Sequence, residues 1–331
     1  MKTIILIPAI LNLFDANTNV TFDVGLSKEM KTYYADYLID MAEAELVHEQ
    51  FGQKHPIPKN GGKTIEFRKY EPLPKALTPL VEGVTPDGQK LSMDTVEATI
   101  DQYGGYVTLS DMLILTAIDN NVVQATRLIA SQAARTRDTI VREVINGGTN
   151  VQYAEGQVTS RSALVGGEVS GNHYLTVNAV RRAVRTLKVV NAPKRNGYYM
   201  GIIHPDVAYD LVNDDKWEAV KAYSDPEDWY TGEIGRIAGV RFVETSEAKV
   251  FTGAGSGGRD VYSTLIMGED AYGVTEVSGG GLEHIVKQLG SAGSGDPLNQ
   301  RATVGWKTTL TAERLVEEYM VRIETTSTFT A

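Results

Sequence analysis

The sequence predicts an α+β protein on three observations. Two amphipathic helix patterns lie near the middle of the chain, strand patterns flank them on both sides, and 32 of 331 residues are glycine, which signals many turns. A chain of this length exceeds the usual reach of one hydrophobic core, so one large or two modest compact units are expected.

The first segment, with apolar residues from Ile4 to Leu13, superficially resembles a secretory signal. Pro8 interrupts the run and Asn12-Leu13-Phe14-Asp15 lacks a small-residue cleavage pattern, so it reads as an amino-terminal arm. Leu26 to Phe51 then reads as a helix of charged and small residues. Its apolar stripe of Met30, Tyr34, Tyr37, Leu38, Met41 and Leu46 is loose, and packs either on its own core or on something outside its domain.

Asn60-Gly61-Gly62 is a turn, after which Ile65 and Phe67 alternate with Thr64, Glu66, Arg68 and Tyr70. A second alternating run sets Val96, Ala98 and Ile100 against Glu97, Thr99 and Asp101. Between them lie Pro72, Pro74, Pro79 and the turn Pro86-Asp87-Gly88. About twenty residues without regular structure are uncommon inside a compact domain. Two strands with a long proline-stiffened tip make an arm that can reach a neighbouring molecule; the alternative is a floppy surface loop.

From Asn121 to Ile145, the residues Val122, Ala125, Ile129, Ala133, Thr136, Ile140 and Val144 keep the three-and-four spacing of a buried helix face. Asp119 or Asn120 can cap its start, and Asn146-Gly147-Gly148 ends it. At 1.5 Å per residue this rod is roughly 37 Å long. Thr176 caps a second helix with Val177, Val180, Val184 and Leu187 on one side and Arg181, Arg182, Arg185 and Lys188 beside them. That basic face reads as solvated or salt-bridged rather than as a nucleic-acid site, given the chain's net charge. Tyr198 to His204 is a buried strand, and Pro205 opens the short helix Asp206 to Asn213. Strands follow around Val240 to Glu244, Tyr262 to Met267 and, as the last clear element, Tyr319 to Glu324.

A net charge of −10 argues against a general nucleic-acid binder, which gains affinity by neutralising phosphates. No cysteine is present, so disulfides, thiolate metal sites and cysteine nucleophiles are excluded. No apolar run reaches the roughly 20 residues of a membrane span. Gly253-Ala254-Gly255-Ser256-Gly257-Gly258 fits the dinucleotide pattern, but a strand pattern follows where that site needs a helix. His48, His55, His173, His204 and His284 lack metal-ligand spacing. His204, at the end of a buried strand, reads as structural rather than as a base. No Gly-x-Ser-x-Gly elbow occurs. No catalytic, cofactor-binding or metal-ligating residue is therefore assigned.

Several segments, in this order, resemble the major coat proteins of tailed phages, in the family typified by the coat protein of phage N-four. They are Pro58 to Phe67, Gln102-Tyr103-Gly104-Gly105-Tyr106-Val107, Gly201-Ile202-Ile203-His204-Pro205-Asp206, Gly232 to Thr245, Gly268-Glu269-Asp270-Ala271-Tyr272-Gly273 and Asp296 to Lys307. The resemblance implies the Hong Kong 97-type capsid fold, and divides the chain into five parts. These are an amino-terminal arm (1–58), an extended two-stranded loop (59–110), a peripheral domain with a long spine helix at about 121–145 (111–169), an axial domain (170–277) and a return to the peripheral domain (278–331).

It further implies a subunit of the virion shell, assembled in the host cytoplasm into hexamers and pentamers of an icosahedral head. Packaged DNA would be cargo without sequence-specific binding, and there is no membrane partner. A portal, a separate scaffolding protein and a decoration protein are the implied partners. Lys63, Glu66, Arg68, Lys75 and Lys90 of the extended loop are the candidate contacts between subunits. No Asn and Glu partners mark Lys75 or Lys90 for isopeptide crosslinking. An enzyme of unknown chemistry and a tail or decoration module are the competing readings.

Overall fold

The computed structural model describes residues 18–20, 47–71, 73–79, 82–83, 85, 87–116, 121–166, 172–214, 217, 236–291 and 293–329. The first strands in chain order are β1 (Thr18–Val20), β2 (Gln53–Lys54), β3 (Thr64–Tyr70), β4 (Met93–Thr99) and β5 (Asp101–Ser110). Helices α1 (Asp111–Thr116) and α2 (Asn121–Asn146) follow, then β6 (Val151–Tyr153), α3 (Val177–Val189), β7 (Tyr199–Ile203) and α4 (Pro205–Val212). The remaining strands are β8 (Arg236–Ile237), β9 (Val240–Glu244), β10 (Val250–Phe251), β11 (Val261–Met267), β12 (Tyr272–Thr275), β13 (Glu283–Lys287), β14 (Arg301–Arg314) and β15 (Met320–Thr325). The chain divides into two units, the boundary falling inside α2 after Arg137 and inside β14 after Thr309.

In the first unit, β5 pairs in parallel with β1 and neighbours β14, while β13 lies antiparallel to β14 from Glu283↔Lys307 to Lys287↔Thr303. The helical period of α2 turns Val122, Ala125, Ile129, Ala130 and Ala133 inward. Val122, Ile129, Ala130 and Ala133 meet Leu109, Ile114, Val304 and Trp306 in one cluster. Trp306 Nε1 donates to Gln132 Oε1 at 3.1 Å. Glycines let β5 and β14 pass closely here. A Cβ on Gly105 would lie 2.7 Å from Gln132 Oε1, and one on Gly305 would lie 2.9 Å from the Tyr106 Cβ.

The second unit is built on a sheet ordered β6-β15-β11-β7-β9-β8, with β10 added on β11. Every residue of β7 and β11 is buried, because both faces of the sheet are covered. One face sends Tyr199, Ile203, Ile266, Val321 and Ile323 against α3 and α4. The other sends Met200, Ile202, Leu265 and Met267 against Val141 and Ile145 of α2, with Tyr272, Val274, Leu310 and Ala312. Gly201 stands opposite Phe242, whose ring occupies the space a Cβ would need.

The caps follow the sequence signals. The Thr176 hydroxyl accepts from the Ala179 amide at 3.2 Å, and His204 Nδ1 accepts from the Asp206 amide at 3.2 Å with Pro205 at the first helical position. His204 is thus an N-cap. Burial lowers its pKa against the opposing pull of Asp206 and Glu244. Glu324 on β15 is fully buried, and Arg161 grips it through two hydrogen bonds of 2.7 Å while Arg322 lies at 2.9 Å. A buried carboxylate survives because both its oxygens meet cations.

Residues 26–46 of the helix predicted over Leu26 to Phe51, and its capping candidates Asp119 and Asn120 for α2, lie outside the described residues. The described end of that helix, 47–51, is turn instead. Its Val47 and His48 amides donate to Asp138 Oδ1 at 3.1 and 2.8 Å, and so are diverted from a helical ladder. The strand β14, 14 residues long, was expected nowhere.

Candidate functional site

The ladder of β3 and β4 carries the candidate contact residues. It is antiparallel from Thr64↔Thr99 to Tyr70↔Met93. Alternation puts Ile65, Phe67, Val96 and Ala98 on a partly covered face. Thr64, Glu66, Arg68, Tyr70, Met93, Thr95, Glu97 and Thr99 form a fully exposed one. The apolar face is held at its base. Phe67 packs edge-on to His55, with ring centroids 5.8 Å apart, and against the bare backbone of Gly273. A cleft of about 480 Å³ lies here, lined by His55, Phe67, Lys69, Val96, Asp270 and Leu315.

The ladder brings together only some of the residues singled out from sequence. Lys63 pairs with Asp101 at 3.0 Å at the base. Arg68 reaches Glu66 at 3.3 Å on the exposed face, where Glu66 also faces Glu97. Lys75 and Lys90 lie exposed in the 71–92 stretch. That stretch is closed by Glu71 N to Ser92 O at 3.1 Å and by Gln89 Nε2 to Pro74 O at 3.2 Å. The paired part of the segment ends at Thr99. Beyond Ile100 the chain joins β5, beside β1 and β14.

Sequence reasoning overlooked the apolar tip. Tyr70 is 65% exposed, Leu77 82% and Leu91 66%, with Leu73 and Met93 also exposed. The signal was present in the three leucines spread among prolines and charges, but no period marked them as a face. Tyr70 and Met93 stand opposite each other at the end of the ladder, and exposed apolar side chains gathered into a patch mark an interaction surface.

The segment leading into the ladder is anchored by His48. Its Nδ1 lies 2.6 Å from Asp138 Oδ2, both side chains being buried, and Tyr272 donates its hydroxyl to the His48 carbonyl. Burial pushes the Asp138 carboxyl up, but the bonds and charge from His48 and two amides outweigh it and hold the pKa below the ordinary value.

In the first unit a cleft of about 600 Å³ is lined by Tyr106, Lys287, Asp296, Arg301 and Trp306. Ser291 on its wall donates its hydroxyl to the Gln288 carbonyl at 2.6 Å rather than to a side-chain base. Among the described residues no group of three or more His, Asp or Glu is placed to hold a metal, and no helix is long and apolar enough to cross a membrane. The glycine tract at 253–258 leads into β11, and Gly253 N donates to Asp260 Oδ1 at 2.7 Å. A strand, not the helix a pyrophosphate site needs, thus follows the tract.

Residues 93–316 match the family model described as phage capsid protein. The chain belongs to that family. This capsid protein is accordingly a structural component of the virion shell and not an enzyme. Its fold is that of solved capsids. It is similar to the capsid of Ralstonia phage GP4, with a TM-score of 0.66 at 15% identity over 99% of this chain and 98% of that one. It is also similar to the capsid of cyanophage Pam1, with a TM-score of 0.62 at 15% identity over 98% and 100% of the two chains. A third likeness is the capsid of cyanophage P-SCSP1u, with a TM-score of 0.61 at 14% identity over 84% and 87%. No curated protein matches the sequence.

Proposed function

We propose that this capsid protein is the major coat subunit of a tailed-phage head with the Hong Kong 97-type fold, closing as hexamers and pentamers into an icosahedral shell around double-stranded DNA. The observation that carries the reading is the β3–β4 ladder, whose apolar tip and one face are exposed among the described residues. In this reading 59–110 is the extended loop that lies on a neighbouring copy. Lys63, Glu66, Arg68, Lys75 and Lys90 contact that copy. α2 is the spine helix of the peripheral domain, 170–277 the axial domain and 1–58 the amino-terminal arm. Symmetric closure multiplies contacts that are individually modest.

Shell assembly takes place in the host cytoplasm, with a separate scaffolding protein, a portal and optionally a decoration protein as partners. Expression of the chain with its scaffold, followed by electron microscopy, tests the reading. Closed shells with this chain as the main component are expected. Monomers or small dimers alone, with and without scaffold, would overturn it.

A further inference from the structure

Helix α3 buries Val177, Ala179, Val180, Ala183, Val184 and Leu187 and contains no acidic residue. On its opposite side Arg181, Arg185 and Lys188 are exposed at i, i+4 and i+7, one above the other along about 10 Å of the helix. None of the three has an acidic partner among the described residues, whereas Arg182 beside them is engaged by the Glu155 carbonyl. Like charges at this spacing destabilise a helix. Arg185 and Lys188 gain something from the C-terminal end of the helix dipole, but Arg181, two turns earlier, does not. A row of cations without acidic partners among the described residues, in a chain of net charge −10, therefore calls for an external explanation.

We infer that this row is a contact surface for a linear polyanion, the phosphodiester backbone of duplex DNA. Two arginines supply planar forks that match phosphate oxygens in pairs. A protein partner is the poorer fit, because interface cores are depleted of charge and rich in large apolar groups. Val189 is the only large apolar side chain that α3 exposes. Three cations on one line recognise charge and not sequence, since phosphates carry no base information. The net negative chain keeps the attraction weak, which holds DNA loosely. The choice of DNA as the polyanion rests on the coat reading; the cationic row itself does not.

The test is binding of a labelled 30-base-pair duplex to the purified full chain across 20–200 mM salt. Three proteins are compared: wild type, the triple variant Arg181→Gln/Arg185→Gln/Lys188→Gln, and Lys54→Gln/Arg135→Gln/Lys287→Gln, which changes net charge equally at exposed positions elsewhere on the surface. With a slope of roughly 0.9 per phosphate neutralised, the stripe variant should lose about 2.7 from the slope of log K against log salt, and the control nothing. Between 50 and 200 mM salt that slope difference is about 40-fold.

No wild-type binding at low salt, equal slopes, or the same loss in the control overturns the inference. So does a stripe variant that no longer forms shells in the absence of DNA, because the row then meets acidic protein. Should circular dichroism show the triple variant unfolded, Arg181→Gln alone must lower the slope by about 0.9. Normal shells from a chain without stripe-dependent binding would end this inference and leave the coat reading standing.

Discussion

Glu66 stands directly opposite Glu97 across the β3–β4 ladder, with both carboxylates on the exposed face. Like charges in register weaken a strand pair by a few tenths of a kcal/mol, and Arg68 at 3.3 Å from Glu66 offsets only one of them. The isolated subunit thus keeps a local conflict, which under the proposed assembly a cation from a neighbouring copy would relieve. Glu97→Gln should raise the stability of the unassembled subunit by about 0.5 kcal/mol and lower the yield of shells. Urea melts of the subunit and particle counts by microscopy check the pair of effects. A variant that assembles as well as wild type would remove Glu97 from the contact.

Gly105 is held to glycine by geometry and not by backbone conformation. The Cβ of an alanine would meet Gln132 Oε1 at 2.7 Å and Trp306 Nε1 at 3.2 Å, the two ends of one hydrogen bond. Gly105→Ala should separate them and cost about 1–3 kcal/mol, the range for overpacking, with a shift in Trp fluorescence. Gly62→Ala meets nothing within 4 Å but carries a φ of +92°. Its cost, about 1 kcal/mol, is conformational and leaves the fluorescence unchanged.

Acid should destabilise the subunit in two stages. His204 and His284 have pKa values lowered by burial. Their folded forms take up protons less readily than the unfolded chain, so their contribution is fully present above about pH 6.5 and is lost as pH falls from there toward the depressed values. Asp138 is a depressed carboxyl. Its contribution is present above the ordinary Asp value of about 3.9 and is lost as pH falls through the lower folded value. His48→Ala strips the buried Asp138 of its side-chain hydrogen-bond partner and should cost about 1–3 kcal/mol. It should also shrink the second acid stage. Thermal melts from pH 7.5 to 3 measure both.

The elements readable from the sequence were those whose pattern depends on one face. α2 and α3 declared themselves by Val122, Ile129 and Ala133 and by Val180, Val184 and Leu187, because a single buried stripe repeats every three or four residues. The ladder showed in Ile65 and Phe67 for the same reason at period two. β14 escaped, although Ala302, Val304, Trp306, Thr308, Leu310 and Ala312 are all buried at alternate positions. Its stripe contains a buried threonine and its middle contains Gly305, so polarity and a strand-weakening residue hid the period. His48 was placed in a helix because nothing local tells that its amide bonds to Asp138, 90 residues away. The exposed tip was invisible in kind. A sequence shows where leucines stand, whereas Leu73, Leu77 and Leu91 matter because the fold leaves them uncovered.

That tip gives the sharpest separation of assembly from folding. Leu77 and Leu91 are 82% and 66% exposed and belong to none of the apolar clusters formed among the described residues. Replacing both by serine removes nothing from a core, so the subunit's urea midpoint should stay within about 0.5 kcal/mol of wild type. Across a shell the same side chains recur in every copy, and each fully buried leucine forgoes about 1.5–3 kcal/mol when made polar. Leu77→Ser/Leu91→Ser should therefore leave soluble, folded subunits that fail to close into shells, seen as a sedimentation profile without the particle peak. Lys75→Gln/Lys90→Gln, on the same stretch, should reduce shell yield much less, because exposed ion pairs contribute about 0–1 kcal/mol. If the lysine variant abolished shells and the leucine variant did not, the tip would be gripping its neighbour by charge rather than by burial.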